Sequence, residues 1–545
     1  MFQDSLSMML FLGSVVADLG KDGYITANVD SIRCKSDTCQ GYVFVGKQYK
    51  KLLLHIDSLS KEANLKFLPT NHNNLDQVNL VDWPVYAKNI TSYFRMFGYP
   101  FCKVTLSEVQ LLEDQLSASL IIDKGDYITY DSIIIKGDLN ISKNFIYRYF
   151  QIKTGQPYDH SQIELLTRRT KNLLFARQKA EPQVVFNHNK ATAYLHIDRI
   201  PVNKFDFILG ILPNNNTTSG GKKWTISGDL KSEFYNRFGQ GEYIFAQYKK
   251  LQPENQEIIL KFSLPFVYNF AFGIDSDFRL FRNGNQHIDL FFTGGLQYLF
   301  NGLNNVKFGY HFKSSRLIDI DLERIKSTGK LPLNLDVIYR SGIAQIQILQ
   351  TDYRFNPSRG WTMELKTNVG QKSILKNNQI TGIEGLENIY ESVQKPTLQF
   401  ESEVDIQTFI PIKTYGAIRL RGMAGFKYNS KGILQNEFYR IGGSATLRGF
   451  DEESIWADRF FMISGEFRLF LDRNSFLSLP FFDMAFTRIL VEENIVWDEA
   501  FGLGLGINFS TKAGIFNVSF ASGSRLNSGF DFGNMKVHFG YVSLF

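Results

Sequence analysis

The chain has 545 residues, of which 44% are hydrophobic and 21% charged, with a formal net charge of +6. That length holds two or more domains. Lys and Arg are spread along it without a block of the kind that binds nucleic acid, and no apolar run approaches the roughly 18 residues of a membrane-spanning helix. Aromatic residues and glycine are abundant, with 49 Phe, 25 Tyr and 43 Gly against 14 Pro. Without a helical span, such a composition points to strands that give half their residues to lipid and half to a polar lumen.

The N-terminal stretch MMLFLGSVVADLG is apolar, but no basic segment precedes it, as one would in a signal peptide. It reads as an amphipathic helix leading into DGYITANV, and we expect a mature or truncated chain whose signal peptide is missing. Cys34 and Cys39 enclose the turn-like KSDT. They form either a hairpin disulfide in an oxidising compartment or two free thiols beside a turn. Cys102 is left over, and no Cys/His spacing resembles a zinc site, so no metal or cofactor is expected.

Residues 1 to about 200 mix helix and strand signals. WPVYAKNITSYFRMF, from Trp83, has helical apolar spacing and is stopped by Gly98-Tyr99-Pro100. The strand-like runs FCKVTLSEVQ and QLSASLIID follow. A second set begins with YDSIIIK at Tyr130, continues with helical signals over 143–150 and 160–175, and closes with the hairpin PQVVFNH and ATAYLHID. Each set reads β-α-α-β-β, about 75 residues, too small for much core alone. Leu6 to Val45 looks like the later part of a third. The expected divisions are a partial unit over 1–45, units over 46–125 and 126–200, and a strand-rich domain over 201–545.

From about Asn203 the period becomes two. Over Leu398–Thr408, Gln399, Glu401, Glu403, Asp405 and Gln407 share one face, opposite Leu398, Phe400, Val404 and Ile406. In FGLGLGINF, Gly502, Gly504, Gly506 and Asn508 take the face opposite Phe501, Leu503, Leu505, Ile507 and Phe509. A water-filled barrel accepts charge on its inner face and excludes it from lipid. About sixteen such segments can be placed, an even number as bacterial barrels require. They start near Asn203, Lys223, Gly241, Gln256, Asn269, Gln286, Asn305, Ile343, Trp361, Thr397, Tyr415, Asp458, Ser475, Ala500, Ala513 and Asn534. The longest links are Ser314–Gly342, Gln371–Pro396 and Asn429–Ala457. The expected fold is therefore α+β units followed by an all-β transmembrane antiparallel barrel.

No nucleophile elbow, P-loop or HExxH string occurs, and the GxG run at 502–506 lies in a period-two strand, so no enzyme is expected. The notable segment is Tyr439–Phe450, YRIGGSATLRGF, in a long link, with Glu466 and Asp483 on downstream strands. An Arg on a loop and carboxylates on a barrel wall suggest a loop folded into the lumen and held by charge. Spacing alone leaves open whether Arg448, Glu466 and Asp483 pair or stand as separate solvated charges.

These residues carry a family resemblance. Leu447-Arg448-Gly449-Phe450 is similar to the (V/I/L)RG(F/Y) tetrad of the sixth outer loop in outer-membrane assembly barrels of the BamA and TamA type. It falls between the eleventh and twelfth expected strands, where that loop lies. Phe481-Phe482-Asp483-Met484-Ala485 resembles the family's (F/G)xDxG on strand thirteen, with Ala for the last Gly, and Glu466 matches a Glu on strand twelve. The segment Asp352–Trp361 is similar to the turn before strand nine, and the wording YRIGG…LRGFDEESI is most like members from the Bacteroidota. The resemblance covers nearly the whole chain. It implies POTRA units in the periplasm, a sixteen-stranded barrel in the bacterial outer membrane, and an in-folded loop 429–457 whose Arg448 meets Asp483 and Glu466. It further implies a weak seam between first and last strands, here Phe205, Phe207 and Leu209 against Val537, Phe539, Gly540 and Phe545. The function it implies is assembly or insertion of client barrels through that seam; a two-partner-secretion-type translocation pore is the alternative. Implied partners are unfolded outer-membrane proteins, lipids and accessory lipoproteins, with no nucleic acid.

Overall fold

The computed structural model describes all residues except 1–4, 36–37, 57–76, 114, 201, 214–223, 251–254, 301–303, 353–355, 452, 473–474, 492–493, 512–513, 526–528, 530–534 and 544–545. The chain divides into two compact units. One holds 1–135, 152–167 and 181–195; the other holds 136–151, 168–180 and 196–545.

In the first unit, helix α1 (Ser5–Lys21) precedes the hairpin β1 (Asn28–Lys35) and β2 (Thr38–Phe44). The ladder sets Cys34 opposite Cys39, and Cys39 is disulfide-bonded; the Cys34 side chain lies outside the described residues. Cys102 is a free, buried thiol whose pKa burial pushes up. Strands β3 (Lys51–Ile56), β4 (Gln77–Asn79), β5 (Lys103–Leu111) and β6 (Gln115–Asp123) form a sheet of order β4-β3-β6-β5, with β3 parallel to β6. Its core joins Leu52, Leu54, Val78, Leu116 and Ala118. Helix α2 (Trp83–Met96) carries Pro84 in its first turn, where its fixed φ is suited, and buries Ile90 and Phe94 against Cys102. The first helix expected between β3 and α2 lies outside the described residues.

Strand β7 (Thr129–Lys136), helices α3 (Lys143–Phe150) and α4 (His160–Asn172), and strands β8 (Ala176–Asn187) and β9 (Lys190–Arg199) follow, with sheet order β7-β9-β8. Ser142 caps α3 by accepting the Phe145 N–H at 3.2 Å, satisfying one of the orphan donors of the first turn.

Sixteen strands then form one antiparallel sheet in unbroken chain order. They are β10 (Lys204–Pro213), β11 (Trp224–Tyr235), β12 (Tyr243–Lys250), β13 (Gln256–Leu264), β14 (Phe272–Asn283), β15 (His287–Phe300), β16 (Asn304–Leu317) and β17 (Val337–Thr351). They continue as β18 (Gly360–Ile374), β19 (Thr397–Ile412), β20 (Gly416–Asn429), β23 (Arg459–Phe470), β24 (Phe476–Val491), β25 (Asn494–Ser510), β26 (Gly514–Arg525) and β27 (Lys536–Ser543). The short hairpin β21 (Tyr439–Ile441) and β22 (Ile455–Ala457) sits in the link between β20 and β23. Helices α5 (Leu322–Thr328) and α6 (Asn378–Thr381) sit in the two preceding long links. We call the end where β10 begins proximal and the opposite end distal.

This sheet is the reverse of a soluble one. On β16, Phe308 is 64% exposed and Tyr310 is exposed beside it, while Asn305, His311, Lys313 and Ser315 are buried on the other face. The apolar face looks outward and the charged face inward, as a lipid-facing wall demands. Among the described residues no ladder joins β10 to β27, although their Cα atoms come within 8 Å.

Two strands begin earlier than expected. β17 starts at Val337 rather than Ile343, and β25 at Asn494 rather than Ala500. On the inner face of the first residues of β17, Val337 and Tyr339 are fully buried and Ser341 is buried beside them. Pairing thus runs past the alternating segment to the distal end, where loops cover the strand, and the link shrinks to 318–336. The distal links share an apolar core of Ile325, Leu335, Ile380 and Tyr390, with Leu434 against it.

At the proximal end, α3 is seated on the turn 236–242. Ser142 N donates to Gly239 O at 2.7 Å, and Asn236 Nδ2 to Asn140 O at 2.9 Å. The Phe145 ring meets Phe266 at 5.7 Å and passes over Gly241, where a Cβ would overlap it. Gly241→Val should lift α3 from this seat at a cost of about 1–3 kcal/mol, as overpacking does. Hydrogen exchange over 143–150 should accelerate while that of β16 and β17 stays unchanged.

Candidate functional site: the in-folded loop

The link 430–458 does not project from the distal end. It runs inside the sheet and touches strands far apart in sheet order, so the sheet curls around it. Three anchors hold it. At the distal end, Glu437 is buried and accepts from Lys372 on β18, and from Gln399 on β19 at 3.0 Å. Lys427 on β20 donates to Glu437 O at 2.6 Å, and Lys313 on β16 to Asn436 O at 3.2 Å.

The second anchor is Arg440. Its guanidinium lies between the rings of Phe281 (4.2 Å) and Trp456 (4.9 Å). It reaches Asp289 of β15 at 3.8 Å and Glu453 at 3.6 Å.

The third anchor is the LRGF tip. Gly442 N donates to the Thr446 hydroxyl at 2.9 Å, and that hydroxyl donates to Gly442 O at 3.0 Å, so the chain turns tightly. Leu447 enters an apolar cluster with Ile441, Ile455, Ala457, Met462, Ala485 and Ala500. Arg448 then meets the wall. Its Nε donates to Asp483 Oδ2 at 2.8 Å and its Nη2 to Asp483 Oδ1 at 2.7 Å, a bidentate fork. Arg448 N adds a 3.1 Å bond to Asp483 Oδ2, and Nη1 donates to Glu466 Oε2 at 3.2 Å. The guanidinium also lies 3.5 Å over the Phe481 ring. The carboxylate side chains are nearly sealed, Asp483 at 1% exposed and Glu466 at 4%. Burial opposes the Arg448 charge, but the bonds and charges of Asp483 and Glu466 outweigh it and hold its pKa above the ordinary value.

Glycine makes room for this contact. Gly449 has φ +94°, in the left-handed region that only glycine occupies freely. A Cβ on Gly502 of β25 would overlap the Arg448 carbonyl oxygen, and one on Gly523 of β26 would lie 2.5 Å from Gly449 O. Two strands thus present bare backbone to the loop tip. Beyond it, Asp451 pairs with Lys536 of β27 at 2.8 Å.

The structure therefore brings Leu447, Arg448, Gly449, Phe450, Glu466 and Asp483 together, on the link between the eleventh and twelfth sheet strands and on the twelfth and thirteenth strands. Phe205 and Val537 are exposed on the first and last strands. Phe207, Leu209, Phe539 and Gly540 lie in those strands with side chains outside the described residues, as is all of Phe545. Sequence reasoning missed Glu437, Arg440, Gly502 and Gly523 as loop seats. Gly502 had a signal, its place on the polar face of its strand. Gly523 had none without the register between β25 and β26, which sets the two glycines opposite each other.

Comparison with known proteins fits this geometry. The family model described as POTRA, surface antigen variable number repeat, matches residues 128–198, the region of β7, α3, α4, β8 and β9. The structure of CdiB from Escherichia coli is similar over 99% of this chain and 98% of its own, with TM-score 0.56 and 12% identity. CdiB from Acinetobacter baumannii is similar over 100% and 99%, with TM-score 0.54 and 12% identity. The fold shared with these two structures is a POTRA segment followed by a large antiparallel barrel-type sheet. BamA from Haemophilus ducreyi lacking POTRA domains 1–3 also aligns, over 91% of this chain and 98% of its own, at TM-score 0.46 and 14% identity. No curated protein sequence matches the chain.

Two outcomes follow from the site. Arg448→Ala should cost the barrel about 3–5 kcal/mol, since it strips the buried Asp483 of its cation, and Asp483→Ala should cost less, since Glu466 still pairs with Arg448. The double variant should cost much less than their sum, as measured by urea unfolding in detergent. Gly502→Val should leave the barrel folded but push the tip off its seat. Trypsin should then cut after Arg440 or Arg448, where the parent chain resists.

Proposed function

We propose that this protein assembles or inserts outer-membrane proteins, its barrel in the bacterial outer membrane and its POTRA segment in the periplasm. The observation that supports this best is that, among the described residues, no ladder joins β10 to β27 in an otherwise continuous sixteen-stranded sheet. An open strand edge pairs with any incoming strand through backbone hydrogen bonds, without demanding a sequence. A client strand would add to β10 or β27, displacing few native bonds, and leave sideways into lipid. The in-folded loop fits this role. It braces β23 to β26 from within, so the wall next to the junction keeps its form while the junction parts. Gly540 in β27 has no side chain to add to pairing there.

A second reading, a protein-translocation pore of the two-partner-secretion type, is favoured by cavities of about 500 and 600 Å³ along the inner face. The experiment that separates them is reconstitution of the full chain into liposomes with an unfolded barrel client. Insertion predicts faster acquisition of protease protection by the client, slowed in Arg448→Ala. Large steady conductance without acceleration would overturn insertion in favour of a pore.

A further inference from the structure

The proximal part of the inner wall carries more positive charge than the loop clamp uses. Arg419 and Arg421 stand on β20, Arg468 on β23 and Arg448 on the loop. Their carboxylate partners are Asp405, Glu466 and Asp483. Arg421 is satisfied by Asp405, and Arg448 by Asp483. Glu466 alone then serves Arg419 at 3.3 Å, Arg448 at 3.2 Å and Arg468 at 2.9 Å. Four guanidinium groups share three directly bonded carboxylates, with Glu364 on a neighbouring cavity beside Arg419 and Arg468. The surplus charge sits where Arg419 and Arg468 are only 14% and 10% exposed, and an unmatched charge at such depth is costly.

A cavity of about 210 Å³ opens at this point. Arg419, Arg448 and Arg468 line it together with hydrogen-bond donors, among them Ser444 of the loop, Asn508 of β25 and Ser519 of β26; Glu466 is the carboxylate on its wall. Guanidinium forks and hydroxyl and amide donors around a small polar space match the needs of a tetrahedral oxyanion. We propose that this cavity is a binding site for a phosphate group, either free phosphate or the phosphate of a lipid headgroup. The bound anion supplies the missing negative charge. It also bridges the loop, through Ser444 and Arg448, to four wall strands, so occupancy ties the loop to its inserted position. This assignment stands apart from the proposed insertion activity and does not depend on it.

The test uses the full chain in detergent at constant ionic strength, with chloride replaced stepwise by inorganic phosphate. Phosphate should raise the melting temperature saturably, by about 2–4 °C, and slow hydrogen exchange over 443–450. Arg468→Gln should lose both effects. Asn508→Asp places a carboxylate in the cavity; it should melt higher than the parent chain without phosphate and no longer respond to it. Dioctanoyl phosphatidylglycerol below its micellar concentration forms the second arm. A response to the lipid at concentrations where free phosphate is inert assigns a headgroup site. A response to free phosphate at least as strong assigns a free-anion site. Equal behaviour in phosphate and chloride with no lipid response would overturn the proposal. So would an undiminished phosphate response in Asn508→Asp, which does not depend on whether Arg468→Gln folds.

Discussion

Charge pairing between the loop and the inner face of the sheet is the constraint on which the rest depends. A wall whose outer face is apolar puts its polar residues inside, where many of them are buried beside the loop. Each inner charge then needs a partner, and the loop supplies many of them. Arg448 closes on Asp483 and Glu466, Arg440 on Asp289, and Glu437 on Lys372. Removing the loop would strand carboxylates and ammonium groups together, so loop and wall are stable only as a pair.

Backbone approach is the second condition. The Arg448 fork reaches Asp483 only because the tip lies against bare strands. Gly502 and Gly523 open that space, and Gly449 adopts the turn that aims the side chain. Small residues on the inner face of β25 and β26 weaken strand packing locally, and the loop returns contact there through Leu447 and Phe450. The braced strands lead directly to β27, and Lys536 at its start is tied to Asp451 of the loop. The braced strands thus border the β10–β27 junction, across which no ladder forms among the described residues.

The long period-two pattern made the strand-rich domain legible, because lipid on one side and polar interior on the other leave no freedom in the alternation. Leu398–Thr408 shows it best, and the structure buries Gln399 and Glu401 on the inner face. Boundaries were less legible at Val337 and Asn494, where pairing continues beyond the alternating residues. The LRGF tetrad, Glu466 and Asp483 could be singled out because their residue types and strand count coincide. Glu437 and Arg440 could not, since charged residues in a long link look alike until their surroundings are known.

Sequence by itself determined the order of elements and the face each strand residue takes, which follow from local periodicity and chain position, and the resemblance of its LRGF, Asp483 and Glu466 motifs supplied the candidates for the loop contact. Tertiary structure alone decided which charges meet. Three arginines converge on Glu466 from β20, β23 and the loop, and two glycines on neighbouring strands line up beneath the tip. Those relations depend on register between strands and on the path of the loop through the interior, neither of which periodicity encodes.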